Sequence, residues 1–333
     1  MANIPGRRKP ETRFSDGQPL VRCVGVTSDG SAPDPTSVTV AERVLAVDAG
    51  QSATRAAGGT GPGVVPLGAP GAIAHVAGAI AAAAVDARDA ALCVGLSGYV
   101  PGDAALTELA RELERRLSPA RVVLSSDVVT SYLGALGVRA GVVVAAGSGT
   151  VALAADGRGG VAVVDGYGHL LGDDGSAFAV GRAGLRSALR GFDGRGGSAA
   201  LRARAQAMFG PLERLPAAIY ADGGPVKRIA AFAPEVAAAA REGDAAAAGI
   251  WSGAGRALAA AALAAAERVF GRGEADVSWT GGVFAAGDLA LEPFRAALPP
   301  RLRPRPPRGG SLDGAALLAG AGVAEMFGPW VRR

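Results

Sequence analysis

Cysteine is nearly absent: Cys23 and Cys93 are the two in 333 residues, too few for a disulfide framework or a zinc-ribbon ligand set. That scarcity fits a reducing cytoplasm. Charge of either sign is sparse as well. Charged residues make up 19% of the chain, and 34 basic against 30 acidic side chains leave a net charge of +4, too small an excess over this length to mark a nucleic-acid surface. Part of it sits in Arg7-Arg8-Lys9 and between Arg301 and Arg308. Long apolar runs are missing: Val76 to Val85 and Ala257 to Ala266 are alanine-dominated and shorter than the ~20 residues that cross a bilayer. Arg7-Arg8-Lys9 is followed by Glu11, Arg13, Asp16 and Gln18 rather than an apolar stretch, so no secretory signal is expected.

What is present is a chain that is 49% hydrophobic with 51 glycines and 21 prolines, a composition of globular proteins rather than of general disorder. At roughly 150 residues per domain the length predicts about two domains. Residues 1–41, rich in Pro, Ser, Asp and Gly and without periodicity, are expected to be a disordered extension. Val44 to Val47 then reads as a strand that ends in Asp48-Ala49-Gly50-Gln51-Ser52 and returns through Ala53 to Ala57, a hairpin with a polar turn. A helix over Ala72 to Ala87, a strand at Ala91 to Leu96, a helix over Asp103 to Leu117 and a strand at Arg121 to Leu124 follow, the alternation of an α/β layer with partly parallel strands.

The same opening recurs at Gly141 to Ala146, turning through Gly147-Ser148-Gly149-Thr150 into Val151 to Ala154. Val161 to Val164 reads as a further strand, and helices are expected over 177–189, 199–209, 212–220, 225–240 and 244–270. Asp276 to Trp279 returns to strand, and Asp313 caps a closing helix that runs to Met326. Two halves with equivalent hairpins imply a cleft between duplicated domains.

A strand-end carboxylate beside a turn carrying Gly50, Ser52 and Thr54 can hold a hydrated Mg²⁺ while backbone N–H groups cradle phosphate. Alone, it is equally an ordinary hairpin turn. The turn at Gly147 to Thr150 reads both ways too, and the pairing of the two favours phosphate. Asp127, at the carboxyl end of a strand, is a helix N-cap or a base that accepts a hydroxyl proton. The stretch from Gly166 to Ser176 packs glycines, Asp173, Asp174, Tyr167 and His169 together. Its carboxylates suit a ligand with many hydroxyls, and His169 reads first as a brace for the loop.

From Gly166 to Ala177 the sequence resembles the G-W-G-H-x-x-G-D-E-G-S-A signature of the N-acetylglucosamine kinase group of the sugar kinase, Hsp70 and actin superfamily, placed with the BadF/BadG/BcrA/BcrD ATPases. The resemblance spans about residues 43–326. Asp48 to Ser52 is similar to the phosphate-1 loop, Ser125-Ser126-Asp127 to the segment with the catalytic aspartate, Gly147 to Thr150 to the phosphate-2 loop and Thr280 to Phe284 to the adenosine loop. Gln206 to Phe209 and the helices after it resemble the helical lobe.

The resemblance implies duplicated ribonuclease H-like (actin-like ATPase) domains over 42–139 and 140–326, flanking a nucleotide and sugar cleft, with 327–333 as a tail. It implies an ATP-dependent kinase acting on an amino sugar, N-acetylglucosamine or glucosamine, at O6. In that family reading Asp127 is the base and Asp48 organises Mg²⁺ through water. Gly50, Gln51, Ser52 and Thr54 with Gly147, Ser148, Gly149 and Thr150 bind phosphates. Gly281 and Gly282 approach adenosine, and Ser148, Gly166, Tyr167, Gly168 and Asp173 line the sugar. A homodimer follows from the resemblance alone.

The chain departs from the pattern in four places: Gln51 stands where Gly is usual, Ser148 where Thr is, Tyr167 where Trp is, and Gly61 to Leu67 lacks the usual sugar-binding Asn. Two alternatives stand beside the kinase. One is a degenerate sugar sensor, against which Asp48, Asp127 and both turns argue. The other is an ATP-driven activator of a dehydratase, which needs two cysteines per subunit for an iron–sulfur cluster, whereas Cys93 falls in a strand expected to be buried.

Overall fold

The computed structural model describes residues 42–221 and 224–333, so the extension expected over 1–41 lies outside the described residues. The chain runs β1 (Val44–Ala49), β2 (Ala53–Ala56), β3 (Gly59–Pro62), α1 (Ala72–Ala83), β4 (Ala91–Leu96), α2 (Ala105–Leu117), β5 (Arg121–Ser126) and α3 (Asp127–Leu136). A second series starts with β6 (Gly141–Ala146), β7 (Thr150–Ala155) and β8 (Val161–Asp165) and continues through α4 (Ala177–Phe192), α5 (Ala199–Phe209), α6 (Leu215–Tyr220), α7 (Pro225–Ala230), α8 (Ala233–Arg241) and α9 (Ala245–Phe270). It closes with β9 (Ala275–Thr280), α10 (Asp288–Ala297), β10 (Leu302–Pro304), α11 (Ser311–Leu317), α12 (Val323–Phe327) and β11 (Val331–Arg332).

The two sheets share one plan. The first is ordered β11-β5-β4-β1-β2-β3 and the second β10-β9-β6-β7-β8. In each, three antiparallel strands lead into parallel neighbours: β1 pairs parallel with β4 and β4 with β5, while β6 pairs parallel with β9 and β9 with β10. The expected duplicated α/β architecture is therefore present.

Period-two burial builds the layers. Leu92, Val94 and Leu96 of β4 pack outward with Leu106, Leu109 and Leu113 of α2, whereas Ala91 and Cys93 face inward. Val142 and Val144 of β6 pack against the α9 residues Leu258, Ala262 and Ala266, and Val143 faces inward. Between the inward faces lie Val128, Val129, Tyr132 and Leu133 of α3 with Leu318, Val323 and Phe327. Helix α3 thus lies between two sheets and is buried on nearly every side. A helix without a polar face shows no amphipathic period, which is why the sequence reading stops β5 at Leu124 and gives no helix after it.

Other differences have local causes. β3 is glycine-bearing and short, with no apolar alternation to announce it. The single helix expected over 225–240 breaks between α7 and α8, where Pro234 cannot donate to the preceding turn and instead opens a new helix. The closing helix also divides, because Gly322 at φ 79° sits before α12. Asp313 is not its N-cap. It lies inside the first turn of α11 and accepts the Gly310 N–H at 2.8 Å. The tail expected over 327–333 is instead part of the first sheet: Val331 pairs with Ser125, and Phe327 is fully buried. Among the described residues, no helix is long and apolar enough to cross a membrane.

Candidate active site

Because β1, β4 and β5 are parallel, their carboxyl ends converge, and each delivers a polar side chain there. β1 brings Asp48, in register with Gly95 of β4; Ser97 follows β4, its N–H donating to the Ala49 carbonyl at 3.0 Å; Asp127 follows β5. Burial pushes the Asp127 carboxyl above its ordinary range. Hydrogen bonds from the Ser97 hydroxyl, the Val128 N–H and the Ser126 hydroxyl pull it back, and the nearby charge of Asp48 pushes it further up. Burial likewise raises Asp48, against a hydrogen bond from Ser311 and the charge of Arg55, whose guanidinium lies 3.7 Å away.

The first turn keeps its own ends closed. The Gly50 N–H donates to Ala53 at 3.1 Å and the Gly50 carbonyl accepts from Val64 at 3.0 Å, leaving Gln51 and Ser52 exposed at the tip. Thr54 does not join them. It is fully buried, and its hydroxyl donates to the Pro62 carbonyl at 2.8 Å, bracing the β2–β3 hairpin.

The second turn sits on the start of α4. A helix begins with N–H groups that lack helical partners, and here Ala177 donates to the Gly147 carbonyl at 2.8 Å while the Ser176 hydroxyl accepts from Ala179 at 3.1 Å. The Gly147 N–H closes on Gly149 at 2.8 Å and the Thr150 N–H on Asp173 at 2.9 Å. Gly281, at the end of β9, holds φ 99°, and a Cβ there would lie 2.3 Å from the Ala146 carbonyl oxygen. Only glycine lets the 281–282 segment lie against the end of β6, beside the turn. Space opens beyond both Gly147 and Gly282.

The 166–176 loop begins where β8 ends. Tyr167 is well exposed, and Leu171 and Gly172 both donate back to the Gly168 carbonyl. His169 packs edge-on against Phe178, with ring centroids 5.0 Å apart, the bracing position expected of it. Asp173 is only 8% exposed and holds the 147–150 turn through the Thr150 N–H rather than standing open to a ligand. Burial raises its carboxyl; the Thr150 N–H and His169 lower it, and Asp165 and Asp174 raise it.

The expected residues thus gather in two groups at equivalent strand ends: Asp48, Gly50 to Ser52 and Asp127 on the first sheet, and Gly147 to Thr150, Gly281, Gly282 and the 166–173 loop on the second. Sequence reasoning missed Ser97, Ser311 and Asp165. Ser97 follows a strand just as Asp127 does, and the same strand-end rule finds it. Ser311 comes from the far end of the chain and carries no local signal.

A nucleotide and magnesium fit what is present. The Thr150 hydroxyl is buried without a hydrogen-bond partner, and Cβ-free space opens over Gly147. Among the described residues, no three His, Cys, Asp or Glu side chains cluster as a metal site. Asp48, a strand-end carboxylate, is of the kind that an ion which keeps its waters and meets one or two carboxylates plus substrate phosphates would use.

The sequence pattern of the BadF/BadG/BcrA/BcrD ATPase family matches residues 41–299. The N-acetylmuramic acid/N-acetylglucosamine kinase of Clostridium acetobutylicum is 27% identical over 108 residues, which span 32% of this chain and about a third (34%) of that protein. A crystal structure from Chromobacterium violaceum, assigned as an N-acetylglucosamine kinase, superposes with a TM-score of 0.63 at 28% identity, covering 83% of this chain and 98% of the other. One from Porphyromonas gingivalis with the same assignment gives 0.65 at 18% identity over 85% and 98%.

Proposed function

The chain belongs to the BadF/BadG/BcrA/BcrD ATPase family, and from that premise we propose that it is an ATP-dependent sugar kinase of the N-acetylglucosamine kinase type. It moves the γ-phosphoryl group of ATP to a hydroxyl, O6 in this reading, of an amino sugar, N-acetylglucosamine or glucosamine. The observation that carries the reading is the repetition. Two sheets of one strand order each end their first strand in a polar, glycine-bearing turn, and a buried carboxylate, Asp127, stands at the end of β5.

In this mechanism Asp127 accepts the proton of the attacking sugar hydroxyl. A carboxyl raised by burial is, in its ionised form, a stronger base than an ordinary one. Ser97 orients it by donating to the ionised form. The Gly147 and Thr150 N–H groups are spent within the fold, so Ser148 and Gly149 are the donors this turn offers to the β- and γ-phosphates. Phosphoryl transfer asks chiefly for such positioning and charge stabilisation. Magnesium carried by the nucleotide would neutralise phosphate charge, with Asp48 holding it through water. Gly281 and Gly282 face the adenosine, and Gly166 to Gly168 the sugar. Lobes at 42–139 and 140–326 closing over the pair exclude water as a competing acceptor. A homodimer and a cytoplasmic setting belong to the same reading.

ADP release coupled to a reporter, screened over N-acetylglucosamine, glucosamine, N-acetylmuramic acid, N-acetylmannosamine and glucose, tests it. Sugar-dependent turnover on an amino sugar, with a 6-phosphate product by NMR, is expected. Binding of sugar without turnover would favour the sensor, and no turnover on any amino sugar overturns the substrate class.

A further inference from the structure

Asp165, the last residue of β8, adopts φ 63°, a region that side chains other than those of Asn and Asp rarely enter. Its carboxylate closes on the loop that follows. Oδ1 accepts the N–H groups of Gly166 and Asp173, each at 2.8 Å, and Oδ2 accepts that of Asp174 at 3.1 Å. One side chain therefore clips both ends of the 166–174 loop. Asp173, itself at φ 61°, passes the constraint on, because its own Oδ1 accepts the Thr150 N–H at 2.9 Å.

Two close approaches show that neighbouring positions are shaped around these carboxylates. A Cβ on Gly172 would lie 2.2 Å from Asp165 Oδ1, and a Cβ on Gly149 would lie 2.8 Å from both Asp173 oxygens. Strand pairing supports the same link: Asp165 is in register with Val151, the neighbour of Thr150. The path from loop to turn is short and entirely bonded.

We propose that Asp165 is a positioning residue which, through Asp173, couples the loop facing the sugar to the turn facing the phosphates. The proposal rests on the sugar-kinase reading above. An ionised carboxylate is an acceptor with about four lone-pair directions, and here three converging backbone donors use them through charge-assisted bonds. A loop pinned at both ends has little conformational freedom left to lose when sugar binds; an unpinned loop must be ordered at the expense of affinity. The freedom that does remain is shared by loop and turn through the bonded path, so whichever of sugar and nucleotide binds first removes it for the other, and each strengthens binding of the other by the same factor.

Two variants separate backbone conformation from hydrogen bonding. Asp165→Gly accepts the positive φ and removes every acceptor, while Asp165→Asn tolerates the φ and keeps one acceptor oxygen. In Asp165→Gly the sugar KM is expected to rise on the order of tenfold with a smaller fall in kcat. Sugar should no longer tighten binding of a non-hydrolysable ATP analogue, and Asp165→Asn should recover most of both effects. Amide hydrogen exchange should quicken over 147–152 as well as 166–174 in Asp165→Gly, a readout that needs no turnover. Parental sugar KM with parental exchange over 147–152 overturns the proposal, as does a lowered thermal midpoint with both KM values unchanged. If the parent phosphorylates no sugar, the kinase reading fails on that result alone. Exchange over 147–152 then decides the clip separately: quickened, it upholds the link, and unchanged, it refutes it.

Discussion

Gly314 of α11 lies so close to Thr130 of α3 that a Cβ on it would fall 1.8 Å from the Thr130 carbonyl oxygen. The two helices touch backbone to backbone in the layer between the sheets, and this contact holds Ser311, at the start of α11, against Asp48. Gly314→Ala cannot be absorbed by a side-chain rotation, since the obstacle is backbone. It should destabilise the fold by about 1–3 kcal/mol, the usual range for overpacking, and lower turnover by shifting Ser311. Gly249→Ala in α9, where the added Cβ meets open space, should instead gain roughly 0.5–1 kcal/mol from helix propensity. Chemical denaturation of the two variants checks both signs.

Phe327 makes the end of the chain structural. Its ring meets Tyr132 of α3 edge-on, with centroids 5.3 Å apart and planes at 80°, and both side chains are fully buried. Phe327→Ala should cost about 3–5 kcal/mol, as large-to-small core changes of this kind do. Removing residues 327–333 should cost at least as much, because it also strips β5 of its β11 partner. Thermal unfolding of the two proteins measures the difference; a truncated protein as stable as the parent would return this segment to the status of a tail.

Much of this architecture was legible from local pattern. β4, β6 and α5 have the bounds their sequence indicates: a buried apolar run marks each strand, and strong helix formers between the Ser198 cap and Gly210 mark the helix. The elements that escaped were those whose character is set by tertiary surroundings: α3, apolar on all faces between two sheets, and β3, whose glycines fit a hairpin edge. The site divides likewise. Asp48 and Asp127 follow from the rule that ligands gather at the carboxyl ends of parallel strands. Thr54 is a phosphate contact in the family reading, yet alternation along β2 turns it inward to Pro62. Asp173 lines the sugar in the family reading, yet lies against Thr150, and only the fold brings Ser311 to Asp48.

Ser97 tempers what burial does to Asp127. Its hydroxyl donates to the ionised form of Asp127 and so lowers the pKa that burial raises. Ser97→Ala removes that stabilisation, and the Asp127 pKa moves further up. If Asp127 is the base, the acid limb of the kcat/KM profile should shift to higher pH in Ser97→Ala, with kcat/KM reduced far less on the plateau above the limb than on the limb itself. A profile with an unmoved acid limb would detach Ser97 from the base.

Asp127 should carry a cost in stability. Its folded-state pKa lies above the ordinary carboxylate value because burial penalises the charged form. For a raised carboxyl, the folded protein binds more protons than the unfolded chain between the two pKa values, so stability falls as pH rises through that window. Below the unfolded value the penalty is absent; above the folded value it is fully present. Asp127→Asn keeps an acceptor oxygen for the Ser97 hydroxyl and the Val128 N–H, yet buries no charge beside Asp48. It should therefore abolish turnover while leaving ATP binding intact, and raise the thermal midpoint above that of the parent at neutral pH. The gap should close as pH drops and the parent takes up its proton. Thermal unfolding of both proteins across a pH series measures it. A variant less stable than the parent at neutral pH would show that the hydrogen bonds to the carboxylate outweigh its burial, and near-normal turnover would remove Asp127 from the role of base.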